Sequence, residues 1–178
     1  MKNFLVVFLL LGCGVAQAVT VTVDFDEFSE NNMPSPIVSQ GYSFDSASGF
    51  EPIFGIAPCP VCALTISNVA GDPFSLLSLD LWNVEVFGTG DAVVAVTGNY
   101  AAGGQVSTNF LLPASVQTNF SFDSAWRGLQ SVTFSAASTG SVIGYDNIVL
   151  SAVPIPAAVW LFGSGLGLLG WLRRKPAA

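Results

Sequence analysis

Between residues 19 and 152 the chain is built from short apolar runs separated by breaks rich in Gly, Pro, Asn, Asp and Ser. The first run, "VTVTVDF", alternates with a period of two, which places successive side chains on opposite faces of a strand. Further runs rich in Val, Thr, Phe and Ser recur at intervals of about ten residues. We therefore predict an all-β fold, an antiparallel jelly-roll-like β-sandwich with about eight or nine strands.

The N-terminal segment departs from this pattern and is typical of a secretory signal. It begins with Lys2, continues with a short apolar stretch and ends with Ala16-Gln17-Ala18, a small-x-small cleavage site. We expect cleavage after Ala18. Two alternatives remain open: an uncleaved N-terminal helix, and a lipoprotein-like box in which Cys13 is lipidated and anchors the chain.

The C-terminal segment predicts a transmembrane helix. Residues 155–172 carry no charge, and as a helix they span about 27 Å, close to the ~30 Å hydrocarbon core of a bilayer. Arg173, Arg174 and Lys175 follow directly and are expected to stay cytoplasmic, so that the body faces outward. The Gly163/Gly167 spacing permits close helix contact, but it is also common in a plain anchor. The expected domains are thus 1–18, 19–152 and 153–178.

Charge narrows the possible functions of the body. Arg127 is the only cation between Val19 and Val153, and all twelve acidic residues lie there, so the net charge is 1 − 12 = −11. Such a surface repels phosphate backbones, and we expect no nucleic-acid partner. The chain also has no His, which excludes His-based catalytic triads and His zinc sites.

The C-terminal tail resembles the PEP-CTERM sorting signal of Gram-negative bacteria, in its Val-Pro-x-Pro-Ala-Ala form. Ile155 stands where the namesake motif has an acidic residue. The resemblance implies cleavage by an exosortase near Pro154–Pro156, a transient inner-membrane intermediate, and delivery to the cell surface or exopolysaccharide matrix. The residues that carry it are Val153, Pro154, Pro156, Ala157, Ala158, Trp160, Gly163, Gly165, Arg173, Arg174 and Lys175.

The body resembles the carbohydrate-binding-module-like jelly rolls of secreted PEP-CTERM proteins, through "VTVDFDEF", "GDPFSLLSLDLW", "VAVTGNY" and "GYDNIVL". This resemblance implies adjacent first and last strands with a structural calcium between them. Asp26 and Asp146 would be the main ligands, with Asp24 and Asn147 as helpers, because Ca²⁺ prefers carboxylate and amide oxygens. Strand alternation would place Asp24 and Asp26 on one face. The alternative is that these are solvated carboxylates on an acidic surface.

A cysteine pair and two tryptophans of the body are further candidates for a structural or binding role. Cys59 and Cys62 form a C-x₂-C pair, for which we predict a local disulfide, since no second pair or His is present to complete a zinc site. Trp82 and Trp126 could form a stacking platform for sugars, but we favour packing in the core.

These observations leave three functional hypotheses. The first is a non-enzymatic, exported structural or adhesive protein of the exopolysaccharide matrix. The second is a lectin-like surface module that binds a specific glycan. The third is a small secreted glycoside hydrolase, which needs two carboxylates at a defined separation in a cleft, and the sequence shows no cleft.

Overall fold

The computed structural model describes residues 18–28, 33–50, 55–58, 62–85, 90–136, 141–153, 162–167 and 170. The chain divides into two compact units, which are described separately. One is the body, Val19–Val153, and the other combines Met1–Ala18 with Pro154–Ala178.

The described part of the body contains ten β-strands, one or two more than the sequence pattern predicts. Every paired strand is antiparallel to its neighbour. The strands are β1 (Thr20–Val23), β2 (Ile37–Ser39), β3 (Tyr42–Ser46), β4 (Leu64–Asn68), β5 (Phe74–Glu85), β6 (Ala92–Tyr100), β7 (Gln105–Leu112), β8 (Gln117–Ser121), β9 (Leu129–Ala136) and β10 (Ser141–Ala152).

The strands form two layers. The smaller sheet has the order β1-β10-β5-β8, and the larger sheet has the order β2-β3-β4-β9-β6-β7. The two sheets share one pairing, Phe74 with Leu129, where β5 and β9 meet at a corner. The predicted all-β antiparallel sandwich is confirmed, and so is the pairing of the first strand with the last.

A single hydrophobic core fills the space between the sheets. In β6, for example, Ala92, Val94 and Val96 are fully buried while the residues between them are not, as alternation predicts. Aromatic rings join the layers: the ring of Phe134 on β9 lies 5.4 Å from that of Tyr145 on β10. This alternation leaves each sheet with a polar outer face.

A bulge in β10 places two polar side chains close together. The register between β10 and β5 shifts after Asp146, and Asn147 has a left-handed backbone with φ of 47°. Asn adopts this conformation more readily than most residues. The Asn147 backbone N–H donates to Asp146 Oδ1 at 2.8 Å, which fixes the Asp146 carboxylate beside Asn147.

The expectation that Asp24 and Asp26 share one face of the first strand is wrong. Strand β1 ends at Val23, and Phe25 has a φ of 55°, so the chain turns there. A left-handed residue ends the extended conformation on which alternation depends, and the Phe25 ring is buried here against Phe44, with ring centres 4.9 Å apart. The two aspartates therefore flank a turn rather than alternate along a strand.

The run "SFDSAWRGL" is also not a strand along its whole length. After β8 the chain forms a 3-10 helix, Ser124–Trp126, whose start is capped by Asp123. The Ala125 backbone N–H donates to Asp123 Oδ1 at 2.9 Å. The helix directs Trp126 into the core, where its ring packs 4.8 Å from Phe122.

In the terminal unit, residues 162–167 and 170 are helical. Within the described parts of the chain, no helix is both long and apolar enough to cross a bilayer. Most of the predicted span 155–172 lies outside the described residues. The same holds for Ala16 of the predicted signal site and, in the sorting motif, for Pro154, Pro156, Ala157, Ala158, Trp160, Arg173, Arg174 and Lys175, so these assignments stay predictions.

Candidate functional site

The outer face of the smaller sheet concentrates the polar side chains that could bind a ligand. Because β1, β10, β5 and β8 lie side by side, their outward residues form cross-strand rows. We call this surface the Trp82 face. Its side chains come from Thr20, Thr22, Ser78, Asp80, Trp82, Gln117, Asn119, Ser121, Asp146, Asn147 and Val149.

Asp80 lies at the centre of this face and accepts hydrogen bonds from three carboxamides. Asn119 Nδ2 donates to Asp80 Oδ1 at 2.7 Å, and Asn147 Nδ2 donates to Oδ2 at 3.0 Å. Gln117 Nε2 also donates to Oδ2, at 3.3 Å. The carboxylate therefore orients amides from two flanking strands, β8 and β10.

This network leaves hydrogen-bonding capacity at the surface. Each amide group has two N–H donors and a carbonyl oxygen; each uses a donor on Asp80, and Asn119 Nδ2 also donates to the Leu79 carbonyl at 3.4 Å. Within the described part of the chain, no hydrogen bond reaches the carbonyl oxygens of Gln117, Asn119 or Asn147. The face thus presents both donors and acceptors held in fixed positions.

Trp82 stands in the row next to Asp80. Its neighbours along β5, Leu81 and Asn83, are fully buried, so alternation places the partly buried indole on the outer face. Across the strands it lies opposite Gly144 on one side and Gln117 on the other. Because Gly144 has no side chain, this row consists of the indole and one amide.

Negative charge accumulates around Asp146. Burial raises the pKa of its carboxyl above the ordinary value, while the bond from the Asn147 N–H lowers it. The negative charges of Asp80, Asp26 and Asp24 then raise the pKa further. The tertiary structure therefore gathers four carboxylates near one another.

The predicted calcium site is not confirmed by this arrangement. Among the described residues, no group of three or more His, Cys, Asp and Glu side chains is placed to hold a metal ion. Strand β1 ends at Val23, so neither Asp24 nor Asp26 lies on the strand whose alternation was expected to align both carboxylates.

Of the two tryptophans in the body, the structure buries one and leaves the other on a surface. Trp126 is only 5% exposed and belongs to the core, as we favoured. Trp82 belongs to the Trp82 face instead. Cys62 is partly buried and disulfide-bonded, but Cys59 lies outside the described residues, so their pairing stays a prediction.

Sequence reasoning missed Asp80, Gln117 and Asn119 as members of a site. The available signal was the alternation in "QTNFS", where polar Gln117, Asn119 and Ser121 flank Thr118 and Phe120. This pattern marks an outward face, but it does not show which strand lies beside it.

Comparison with known proteins gives similarity at the level of structure only. No family model matches the chain, and no curated protein matches it. Solved structures of family 29 carbohydrate-binding modules are similar to it. One, a variant complexed with mannohexaose, is 18% identical, with 76% of this chain and 92% of that chain covered and a TM-score of 0.47.

Two further structures of this kind give similar values. A variant complexed with cellulohexaose is 19% identical, with 78% of this chain and 93% of that chain covered and a TM-score of 0.47. A family 29 module without a named ligand is 18% identical, with 76% and 89% covered and a TM-score of 0.47.

Proposed function

We propose that the body is a non-enzymatic module that binds neutral polysaccharide through the Trp82 face. The observation that carries the proposal is the Asp80 carboxylate with its three amides, beside a partly exposed indole. A sugar ring has an apolar C–H face and a rim of hydroxyls. The indole can pack against the former, and the amides can bond to the latter.

The charge of the body supports a neutral ligand. With a net charge of 1 − 12 = −11 between Val19 and Val153, it repels polyanions. Asp80 and Asp146 are direct cross-strand partners on the same face, which adds negative charge at the site itself. Uncharged hexose polymers are therefore the favoured ligand class.

Binding is favoured over hydrolysis. A glycosidase places two carboxylates on either side of the bond that it cleaves, within a cleft. Asp80 and Asp146 instead lie side by side on the outer face of a sheet, and Asp80 is held by three amide donors.

The tail supplies the second part of the proposal. We propose that residues 1–18 direct export and that an exosortase processes the chain near Pro154–Pro156, after a transmembrane intermediate. The support is the resemblance of the tail to PEP-CTERM signals. Mass spectrometry of surface protein should find a mature C-terminus without Arg173, Arg174 and Lys175. The same C-terminus in cells that lack exosortase would contradict this part.

The glycan proposal is tested by titrating the full chain with neutral oligosaccharides. Mannohexaose and cellulohexaose, which two of the compared modules carry in their complexes, are suitable probes. We expect Trp82→Ala to weaken binding at least about tenfold, because the stacking surface is lost. Thr97→Ala, on the outer face of the larger sheet, is the matched control and should bind like the wild type.

Two results would contradict the glycan proposal. One is a wild-type chain that binds no neutral oligosaccharide on a broad glycan array. The other is a Trp82→Ala chain whose affinity equals that of the wild type. Circular dichroism of both variants checks that the fold is retained.

A further inference from the structure

Three consecutive strands on one side of the sandwich contain no charged residue. From Ala92 to Phe122 the chain has no Asp, Glu, Lys or Arg, although the body as a whole has a net charge of 1 − 12 = −11. This segment forms β6, β7 and β8. Strand β7 is at the edge of the larger sheet and β8 at the edge of the smaller one, and Phe110 packs 4.1 Å from Phe120 to join them.

The opposite side of the sandwich differs in charge. There the edge strands are β1 and β2. Asp24, Asp26 and Glu27 follow β1, and Ser39 on β2 bonds to Glu27 through its hydroxyl. Repulsion between two copies of this acidic body is strongest on that side and weaker at the β7 and β8 edges.

Strand β7 has an open hydrogen-bonding edge. It spans the eight residues Gln105–Leu112 and, among the described strands, pairs only with β6. In an antiparallel ladder, alternate residues direct their backbone N–H and C=O groups away from the partner strand. Proteins usually protect such an edge with Lys, Pro, a bulge or a very short strand. Strand β7 has no Lys or Pro, and its register with β6 is continuous.

We propose that β7 pairs antiparallel with β7 of a second copy of this chain. An antiparallel strand edge is self-complementary under two-fold symmetry, so one surface can serve both copies. The outward side chains of β7 are neutral, and Leu111, which is 61% exposed, would lose solvent contact in the pair. The shorter edges β1 and β2, with four and three residues, offer fewer backbone groups.

The symmetry of this dimer has a consequence for binding. The two-fold axis of an antiparallel strand pair is perpendicular to the sheet, so corresponding faces of the two copies point in the same direction. If the Trp82 face binds glycan as proposed above, the dimer presents two such faces to one polymer. Linked sites raise the apparent affinity for a multivalent surface without any new contact. The dimer itself does not depend on glycan binding.

Sedimentation velocity of the purified full chain in detergent micelles tests the pairing. Over about 1 to 100 µM, we expect a concentration-dependent dimer for the wild type. Ser107→Lys with Asn109→Lys should weaken the dimer at least about tenfold, because like charges then face each other across the new ladder. Val38→Lys with Val69→Lys adds the same charge at exposed positions away from β7, and should dimerise like the wild type.

A cysteine replacement gives a second measurement. With Asn109→Cys, oxidation should produce a covalent dimer on a non-reducing gel, whereas Val38→Cys should not. A wild-type chain that is monomeric at every concentration would overturn the proposal. So would a Ser107→Lys, Asn109→Lys chain that dimerises as tightly as the wild type. Soluble-hexasaccharide affinity, measured on the same variant, tests the Trp82 face separately.

Discussion

The two outer faces of the sandwich are both polar, but they differ in what their side chains do. On the larger sheet, hydroxyl and amide residues form cross-strand rows, which we call the hydroxyl face: Asp45, Thr65, Thr133, Thr97 and Ser107 in one row, and Ser43, Ser67, Ser131, Asn99 and Gln105 in the next. Among the described outward residues of this face, none is aromatic. The Trp82 face, by contrast, combines an indole with a carboxylate that orients three amides.

Several hydrogen bonds of the hydroxyl face are made within the face itself. Asn99 Nδ2 donates to Ser131 Oγ at 3.0 Å, and Gln105 Nε2 donates to Asn99 Oδ1 at 2.8 Å. The difference between the faces shows that polarity alone does not make a binding site. A sugar site also needs an apolar surface and polar groups that remain available for the ligand.

The largest expected effect is a loss of stability from a substitution in the hydrophobic core that supports both faces. Phe74 is fully buried at the corner where the sheets meet, with its ring 5.5 Å from Tyr42. Phe74→Ala should lower the free energy of unfolding by about 3–5 kcal/mol, because it leaves a cavity in the common core. Urea unfolding measures the loss, with the exposed Val38→Ala as control. A loss below about 1 kcal/mol would mean that the corner is not a shared element.

A substitution on the Trp82 face should weaken glycan binding, whereas a matched substitution on the hydroxyl face should not. Asp80→Ala removes the acceptor that orients Gln117, Asn119 and Asn147, so the hexasaccharide affinity should fall about tenfold, or about 1.4 kcal/mol. Asp45→Ala, which removes a carboxylate from the hydroxyl face, is the control in the same calorimetric titration. Equal losses in both variants would mean that charge, not geometry, determines binding.

The carboxylates around Asp146 should have a smaller effect on stability, and this effect should depend on pH. Burial and the charges of Asp80, Asp26 and Asp24 raise the pKa of Asp146 in the folded state, apart from the opposing Asn147 hydrogen bond. Its ionised form therefore opposes folding at neutral pH, and this cost disappears below the unfolded pKa, where both states are protonated. Asp146→Asn should raise the Tm at pH 7 and leave it unchanged near pH 3.

The control for this change is Asp72→Asn, because Asp72 is exposed and lies outside the cluster. Thermal melts at both pH values compare the two variants. A Tm that rises equally at both pH values in Asp146→Asn would show that the gain has no electrostatic origin.

The smallest change in stability is expected from a substitution on the hydroxyl face. Thr133→Val removes the 3.3 Å hydrogen bond between the Thr65 and Thr133 hydroxyls while keeping the shape of the side chain. We expect a loss of less than about 1 kcal/mol in unfolding free energy and no change in hexasaccharide affinity. A weaker affinity in this variant would place glycan contacts on the larger sheet as well.

Local pattern was sufficient to predict the fold class. The period-two alternation in segments such as "AVVAVTGNY" decides which side chains face the core, and this is a property of neighbouring residues. Composition likewise determined the acidic charge of the body and the absence of His chemistry. The interpretation of the two chain ends also came from the sequence alone, because their motifs are contiguous.

Only the tertiary structure decided which residues share a site. Asp80, Asn119 and Asn147 come from three strands, and their register and adjacency are set by core packing between distant segments. The turn at Phe25 is another such outcome, since the left-handed backbone there ends the strand alternation that Asp24 and Asp26 would otherwise follow. Trp82 and Trp126 differ for the same reason. Trp82 lies on the outer face of a strand, whereas Trp126 lies on a capped 3-10 helix that directs it into the core. The residues beside each tryptophan in the sequence do not determine this difference.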